Sequence, residues 1–140
     1  YMRYLTSDFS KTNTTLTDVA DLVVYVESGK TYGMEYELYL SADATGGIKI
    51  ASPKTATSSN IYGNYRLYDV GTGDSLMVAN SYSNLSWSES DAGVQLYYFT
   101  LRGTITTTSA GLIRLQFAQE VANGTSKINA GSTIKVIKLD

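Results

Sequence analysis

The sequence predicts an all-β fold, an antiparallel β-sandwich of about eight short strands. Three observations carry this prediction: short segments alternate between apolar and polar residues, turn residues separate the segments, and the composition suits sheet surfaces. Of 140 residues, 33 are serine or threonine, 12 are glycine, one is proline and only 17% are charged. A chain of this length fits one core, so residues 1–140 are expected to form a single domain, with residues 1–15 as an extended N-terminal arm.

The clearest strand covers residues 32–40. Its residues of one parity are large and apolar, and those of the other parity include Gly33, Glu35, Glu37 and Tyr39, a period of two that indicates a half-buried antiparallel strand. The preceding residues 22–26 are apolar on both parities. We predict a hairpin across residues 28–30 between these two strands, and residues 13–22 are the only segment with any helical character.

Further elements follow in order along the chain. A glycine-containing loop at residues 43–47 precedes a short strand at 48–51, and Pro53 removes a backbone donor, which makes residues 52–60 a loop or an edge. The remaining apolar runs cover residues 62–70, 75–79, 94–105, 112–121 and 134–139. Turn residues separate all of these runs.

Composition argues against several classes of function. The net charge of −2, from 11 basic and 13 acidic residues, predicts neither a nucleic acid nor a membrane as partner. Histidine and cysteine are absent, so the commonest general base and the strongest nucleophile are missing. Glu35 and Glu37 share a face, but an exposed strand commonly carries glutamate for solvation. We therefore expect no enzymatic activity, no cofactor and no metal site. Because the sequence does not begin with methionine, we expect a processed protein, a cut fragment or part of a longer chain.

Aromatic residues are the informative excess, with 12 tyrosines among them. Those in the middle of the chain lie among asparagines and serines, which suits a surface that contacts a sugar or a protein; the candidates are Tyr62, Tyr65, Tyr68, Tyr82 and Trp87. Residues of regular strands are expected in the core or in a subunit interface, and the interface candidates are Tyr97, Phe99, Leu101 and Phe117. The sequence leaves core and interface open for the second group.

The C-terminal half contains an ordered series of fragments: Leu101-Arg102-Gly103-Thr104-Ile105, then residues 110–119 ending in Gln116-Phe117-Ala118-Gln119, then Asn129-Ala130-Gly131-Ser132 and a final strand. This series resembles a module of tailed-bacteriophage structural proteins. Further upstream, Tyr32 and the run Thr45-Gly46-Gly47-Ile48-Lys49 match the same module. The resemblance implies a jelly roll of the tumour-necrosis-factor type, a fold that often assembles as trimers in tail fibres, head fibres and capsid decorations.

Association is also expected on physical grounds, because residues 94–105 are apolar on both parities and one face needs a cover other than the core. The leading hypothesis is a non-enzymatic virion protein, on the capsid surface or the tail, that forms a homotrimer and contacts other virion proteins. The alternative is a receptor-binding module at a tail-fibre tip that recognises cell-surface glycans. A cellular cytokine-like or adhesin-like sandwich is the third hypothesis.

Overall fold

All regular structure in the described part of the chain is β-strand. The computed structural model describes residues 1–52, 54–79 and 88–139. The strands are β1 (Met2–Tyr4), β2 (Phe9–Lys11), β3 (Thr17–Val26), β4 (Thr31–Ser41), β5 (Ile48–Ala51), β6 (Ser58–Asp69), β7 (Ser75–Ala79), β8 (Ser88–Asp91), β9 (Leu96–Thr107), β10 (Gly111–Ala118), β11 (Ser126–Ile128) and β12 (Thr133–Lys138). The expectation of helical character at residues 13–22 is wrong, because β3 occupies most of that segment. Within the described ranges, no helix is long and apolar enough to cross a membrane.

The strands form two antiparallel sheets, and the molecule is a β-sandwich of jelly-roll type, as the sequence predicts. The large sheet has the order β1-β12-β4-β9-β6-β7, with β11 and β2 attached beside β4, and the small sheet has the order β3-β10-β5-β8. The predicted hairpin across residues 28–30 is wrong, because β3 pairs with β10 in one sheet and β4 pairs with β9 in the other. Gly29, with a φ of 69°, turns the chain from the small sheet to the large one.

The core lies between the inner faces of the two sheets. Alternation along β4 is as predicted, since its inward side chains are all at most 2% exposed: Tyr32, Met34, Tyr36, Leu38 and Leu40. The small sheet contributes branched and aromatic residues from three strands: Val19, Leu22, Val24, Val26, Ile48, Ile50, Ile113, Leu115 and Phe117. The strict parity of burial fixes which side chains of the large sheet point away from the core.

Residues 1–15, expected to form an extended arm, are in part strands of the large sheet. β1 pairs with β12 and β2 pairs with β11. Between these two strands the Asp8 carboxylate accepts hydrogen bonds from Lys127 Nζ at 2.7 Å and from the Ala130 N–H at 2.8 Å. These two bonds hold the pKa of Asp8 below its ordinary value, and the bond from Lys127 has the larger effect.

The glycines that carry the phage-module resemblance have structural roles here. A Cβ at Gly111 would lie 2.8 Å from Ala56 Cα and against the Ala56 backbone nitrogen, so only glycine permits this close approach. Gly131 has a φ of 90°. Beside it, buried Ser132 accepts the Tyr39 N–H at 3.0 Å. Gly111 thus permits a close approach and Gly131 a turn, whereas Gly103 lies within β9 rather than at a strand end.

A buried polar network joins the loop before β5 to the end of β10. Gln119 is 0% exposed, and its Nε2 donates to the Asn123 carbonyl at 2.6 Å and to Ser126 Oγ at 3.2 Å. Ser126 Oγ in turn donates to the Gly47 carbonyl at 2.7 Å. A Cβ at Gly46 would lie 2.6 Å from Gln119 Nε2. The Thr45-Gly46-Gly47 and Gln119 parts of the resemblance thus belong to one scaffold contact.

Candidate functional site

The outward face of the large sheet carries an ordered grid of aromatic and charged side chains. Antiparallel register places Tyr39 of β4 opposite Tyr98 of β9, and Tyr98 opposite Tyr68 of β6. Two residues further along each strand, a second row contains Glu37, Thr100 and Arg66, and the next row contains Glu35, Arg102 and Asn64. Side chains of one parity on adjacent strands meet in such rows because the pleat has a period of two.

The tyrosine row, defined as Tyr39, Tyr98 and Tyr68, is a continuous stack. Ring centroids of Tyr39 and Tyr98 are 5.1 Å apart with planes inclined by 25°, and those of Tyr68 and Tyr98 are 6.2 Å apart with planes inclined by 24°. Both faces of the central ring are therefore covered by its neighbours. The row presents ring edges and hydroxyl groups to the outside.

An apolar margin extends the tyrosine row toward the end of the sheet. Val70 is 53% exposed and Leu96 is 50% exposed. An open cavity of about 480 Å³ lies against the row and is lined by Tyr39, Tyr68, Val70, Gly73 and Tyr98, with Asp69 and Thr100. Rigid aromatic edges with an apolar margin are the composition that protein contact surfaces favour.

Charged side chains separate the tyrosine row from the opposite end of the sheet. The Glu35 carboxylate lies 3.6 Å from Arg102 Nε and 3.7 Å from Lys135 Nζ. All three side chains are substantially exposed, so these ion pairs add little stability. Glu35 is thus engaged with cations on an open face, which fits the solvating role expected for it.

The tyrosine row also makes polar contacts with this charged zone. Arg66 Nη1 donates to the Tyr68 hydroxyl at 3.3 Å. Burial, and then the charge of Glu37, raises the pKa of Tyr98 above its ordinary value. The shift favours the protonated form of the Tyr98 hydroxyl, which can donate a hydrogen bond.

The structure separates the tyrosines that the sequence grouped as contact candidates. Tyr62 is 65% exposed and Tyr68 is half-buried, and both lie on the outward face of β6. Tyr65 is a core residue at 8% exposure, and its ring stacks on Phe99 at 6.0 Å. A contact role for Tyr65 is therefore wrong, because its parity on β6 turns it inward. Tyr82 and Trp87 lie outside the described residues.

The four interface candidates all belong to the core of the single chain. Tyr97, Phe99, Leu101 and Phe117 are at most 2% exposed, so no second subunit reaches their side chains. The interface assignment is thus corrected to the core, the other possibility that the sequence left open. The physical reason is parity: on β9 the odd-numbered residues face inward, and Leu96, Tyr98 and Thr100 face outward.

Sequence reasoning named Tyr68 as a contact candidate but missed Tyr39 and Tyr98, although signals for both were present. Tyr39 is the one aromatic residue on the polar parity of β4, and Tyr98 is on the second apolar parity of β9. Neither residue indicates a row alone. The row exists only because the register of β4, β9 and β6 aligns residues far apart in sequence.

Comparisons with known proteins concern the fold. No protein-family model matches the sequence, and no curated protein matches it significantly. Eiger TNF from S. frugiperda has a TM-score of 0.47 and 11% identity, over 99% of this chain and 90% of its own. The carbohydrate-binding module of Cellvibrio mixtus lichenase 5A, in complex with cellotriose, has a TM-score of 0.31 and 13% identity, over 100% of this chain and 98% of its own. A protein of Broad Bean Stain Virus has a TM-score of 0.36 and 7% identity, over 85% of this chain and 91% of its own.

Proposed function

We propose that this chain is a non-enzymatic structural domain of a bacteriophage virion, an outer capsid-decorating or fibre domain, that assembles as a homotrimer. The observation that supports self-association most directly is the tyrosine row with its apolar margin on the outward face of the large sheet. An apolar patch of ordered aromatics on a small sandwich calls for a cover. Three-fold symmetry and the virion setting come from the resemblance to phage modules.

A protein surface suits the tyrosine row better than a sugar does. Sugars stack on an open aromatic face, and both faces of Tyr98 are occupied by Tyr39 and Tyr68. Ring edges and hydroxyl groups are instead suited to close packing against side chains and backbone of another subunit. A closed symmetric assembly covers such a face without forming fibres.

Sedimentation velocity tests the proposal with a matched pair of variants. Tyr98→Arg places a charge in the middle of the row, and we expect it to shift the protein from trimer toward monomer. Tyr25→Arg is the control, because Tyr25 is 54% exposed on β3 of the small sheet, and it should leave the trimer unchanged. A wild-type protein that stays monomeric at low micromolar concentration would contradict self-association. Electron microscopy of the intact particle tests the location.

The second candidate function is recognition of a cell-surface glycan at a tail-fibre tip. The observation that favours it is Tyr62, which is 65% exposed and shares the outward face of β6 with exposed Asn64. A glycan array probed with the wild-type protein and with Tyr62→Ala separates the two functions. Specific binding that is lost in the variant supports recognition, and the absence of any specific signal supports a purely structural role.

A further inference from the structure

A glycine in the middle of a long regular strand lacks a local explanation. Gly33 lies within β4 on its outward parity, its φ is not positive, and its pairing with Thr104 and Ile137 is regular. A glycine there is about 0.5–1 kcal/mol less favourable than alanine. A Cβ added at Gly33 would meet only Leu139, at 3.6 Å or more. Space within the chain therefore permits a side chain, and a strand glycine without a bulge often marks close approach by another molecule.

The missing side chain leaves a depression, here named the glycine notch, on the same outward face as the tyrosine row. Its volume is about 350 Å³, and it is lined by Gly33, Met34, Gly103, Ile137 and Leu139, with Glu35, Arg102 and Lys135 at the rim. Ile137 and Leu139 are 43% and 58% exposed. The notch is thus an apolar recess with a backbone floor.

The notch lies far from the tyrosine row of its own chain. Gly33 and Tyr39 are six residues apart on one strand, which corresponds to about 20 Å. The row therefore cannot fill the notch of the same chain, whereas it can reach the notch of a second copy when the two outward faces overlap.

We propose that the tyrosine row of one copy packs into the glycine notch of the next copy. This inference rests on the proposed self-association, and it adds which surface of one copy meets which surface of another. Apolar ring edges meet an apolar recess, and partly exposed rings meet a place where a side chain is missing. Two unlike surfaces in contact form a heterologous interface, which closes into a ring when the rotation between copies permits.

The charges around the two surfaces are complementary. Three carboxylates, those of Glu35, Glu37 and Asp69, and two guanidinium groups, those of Arg66 and Arg102, lie around the tyrosine row. Two cations, Arg102 and Lys135, and one carboxylate, that of Glu35, lie at the rim of the notch. The Arg102 side chain is 76% exposed, so it is accessible to a carboxylate of a second copy. Opposite net charges favour the row-to-notch orientation over contact between two identical rows.

Gly33→Val tests the notch without altering the row. Valine suits a strand, and its Cβ meets only ordinary contacts, so the thermal midpoint of the monomer should not fall. We expect association to weaken about tenfold or more in sedimentation velocity, whereas Tyr25→Arg should associate as the wild type does. Gly33→Thr is the second variant, to be used if the valine variant folds poorly.

A mixing experiment decides which surfaces meet. The Tyr98→Arg chain keeps an intact notch, and the Gly33→Val chain keeps an intact row, so an equimolar mixture should form heterodimers although each variant alone associates only weakly. An unchanged trimer of Gly33→Val overturns the inference, as does a mixture without heterodimers, and both outcomes leave the proposed function intact. A wild-type protein without any association instead overturns the proposed function itself.

Discussion

The phenol of Tyr36 is a buried acid whose pKa is strongly raised. Its side chain is 1% exposed, and burial raises its pKa to about 12, although a 3.4 Å contact with Ser52 Oγ acts in the opposite direction. The folded protein therefore holds this proton more tightly than the unfolded chain, whose tyrosine pKa is about 10. Stability from this group is fully present below pH 10 and is lost as the pH rises to 12.

Tyr36→Phe should therefore reduce alkaline sensitivity. Between pH 10 and pH 12 the wild type should lose about 3 kcal/mol of unfolding free energy through this group, and the variant should lose correspondingly less. Urea denaturation at a series of alkaline pH values measures the difference. If the unfolding free energy changed with pH equally in the two proteins over this range, the Tyr36 hydroxyl would not be shielded from water, contrary to the structure.

Gln119 is a buried polar residue whose hydrogen bonds, through Ser126, hold the loop before β5 in place. Gln119→Leu leaves the Asn123 backbone groups and Ser126 Oγ without a partner that they now have, and we expect a loss of about 2–3 kcal/mol. Gln116→Leu is the matched control, because the amide of half-buried Gln116 donates, among the described residues, to Asp18 alone, at 2.7 Å on the outer face of the small sheet. Urea denaturation of both variants checks this, and equal losses would contradict the role of the network.

At the scale of elements, the crossing from the large sheet to the small one depends on Gly111 at the start of β10. Gly111→Ala places a Cβ against the backbone of Ala56, which no side-chain rotation can relieve. Overpacking of this kind costs about 1–3 kcal/mol. Gly33→Ala is the control at a protein concentration too low for association, since its Cβ meets only Leu139 at an ordinary distance, and the monomer should then be as stable as the wild type or more so. We therefore expect Gly111→Ala to melt below the wild type and Gly33→Ala to melt at or above it. Thermal unfolding of both variants measures the two midpoints.

The elements also show what sequence reasoning can and cannot reach. Strands such as β4 were predictable because a period of two is a local property, and Tyr32 to Leu40 alternate without a fault. The connection at Gly29 was not predictable in this way, because a hairpin and a crossing between sheets use the same turn residues. Only the distant partner strands β9 and β10 decide between the two. For the same reason the sequence left open which face of β9 meets the core, and the structure places Tyr97, Phe99 and Leu101 there.

At the scale of the whole molecule, the outward face of the large sheet sets an expectation for stability. Under the self-association proposed above, copies of the chain cover each other's tyrosine row and glycine notch in the assembled state. Folding and association are then linked, because a contact made by the folded state alone stabilises that state by mass action. The apolar margin at Val70 and Leu96 would become buried in the same step.

The melting temperature should therefore depend on protein concentration. A tenfold increase in concentration should raise the wild-type midpoint by roughly 2–5 °C for a domain of this size. Tyr98→Arg should melt at a midpoint that does not change with concentration, since its row no longer packs, whereas Tyr25→Arg should retain the full dependence. Differential scanning calorimetry over a series of dilutions measures this directly. A wild-type midpoint that is constant across the series would mean that the tyrosine row is exposed to solvent in the native state, and the row would then have to serve a partner other than this chain.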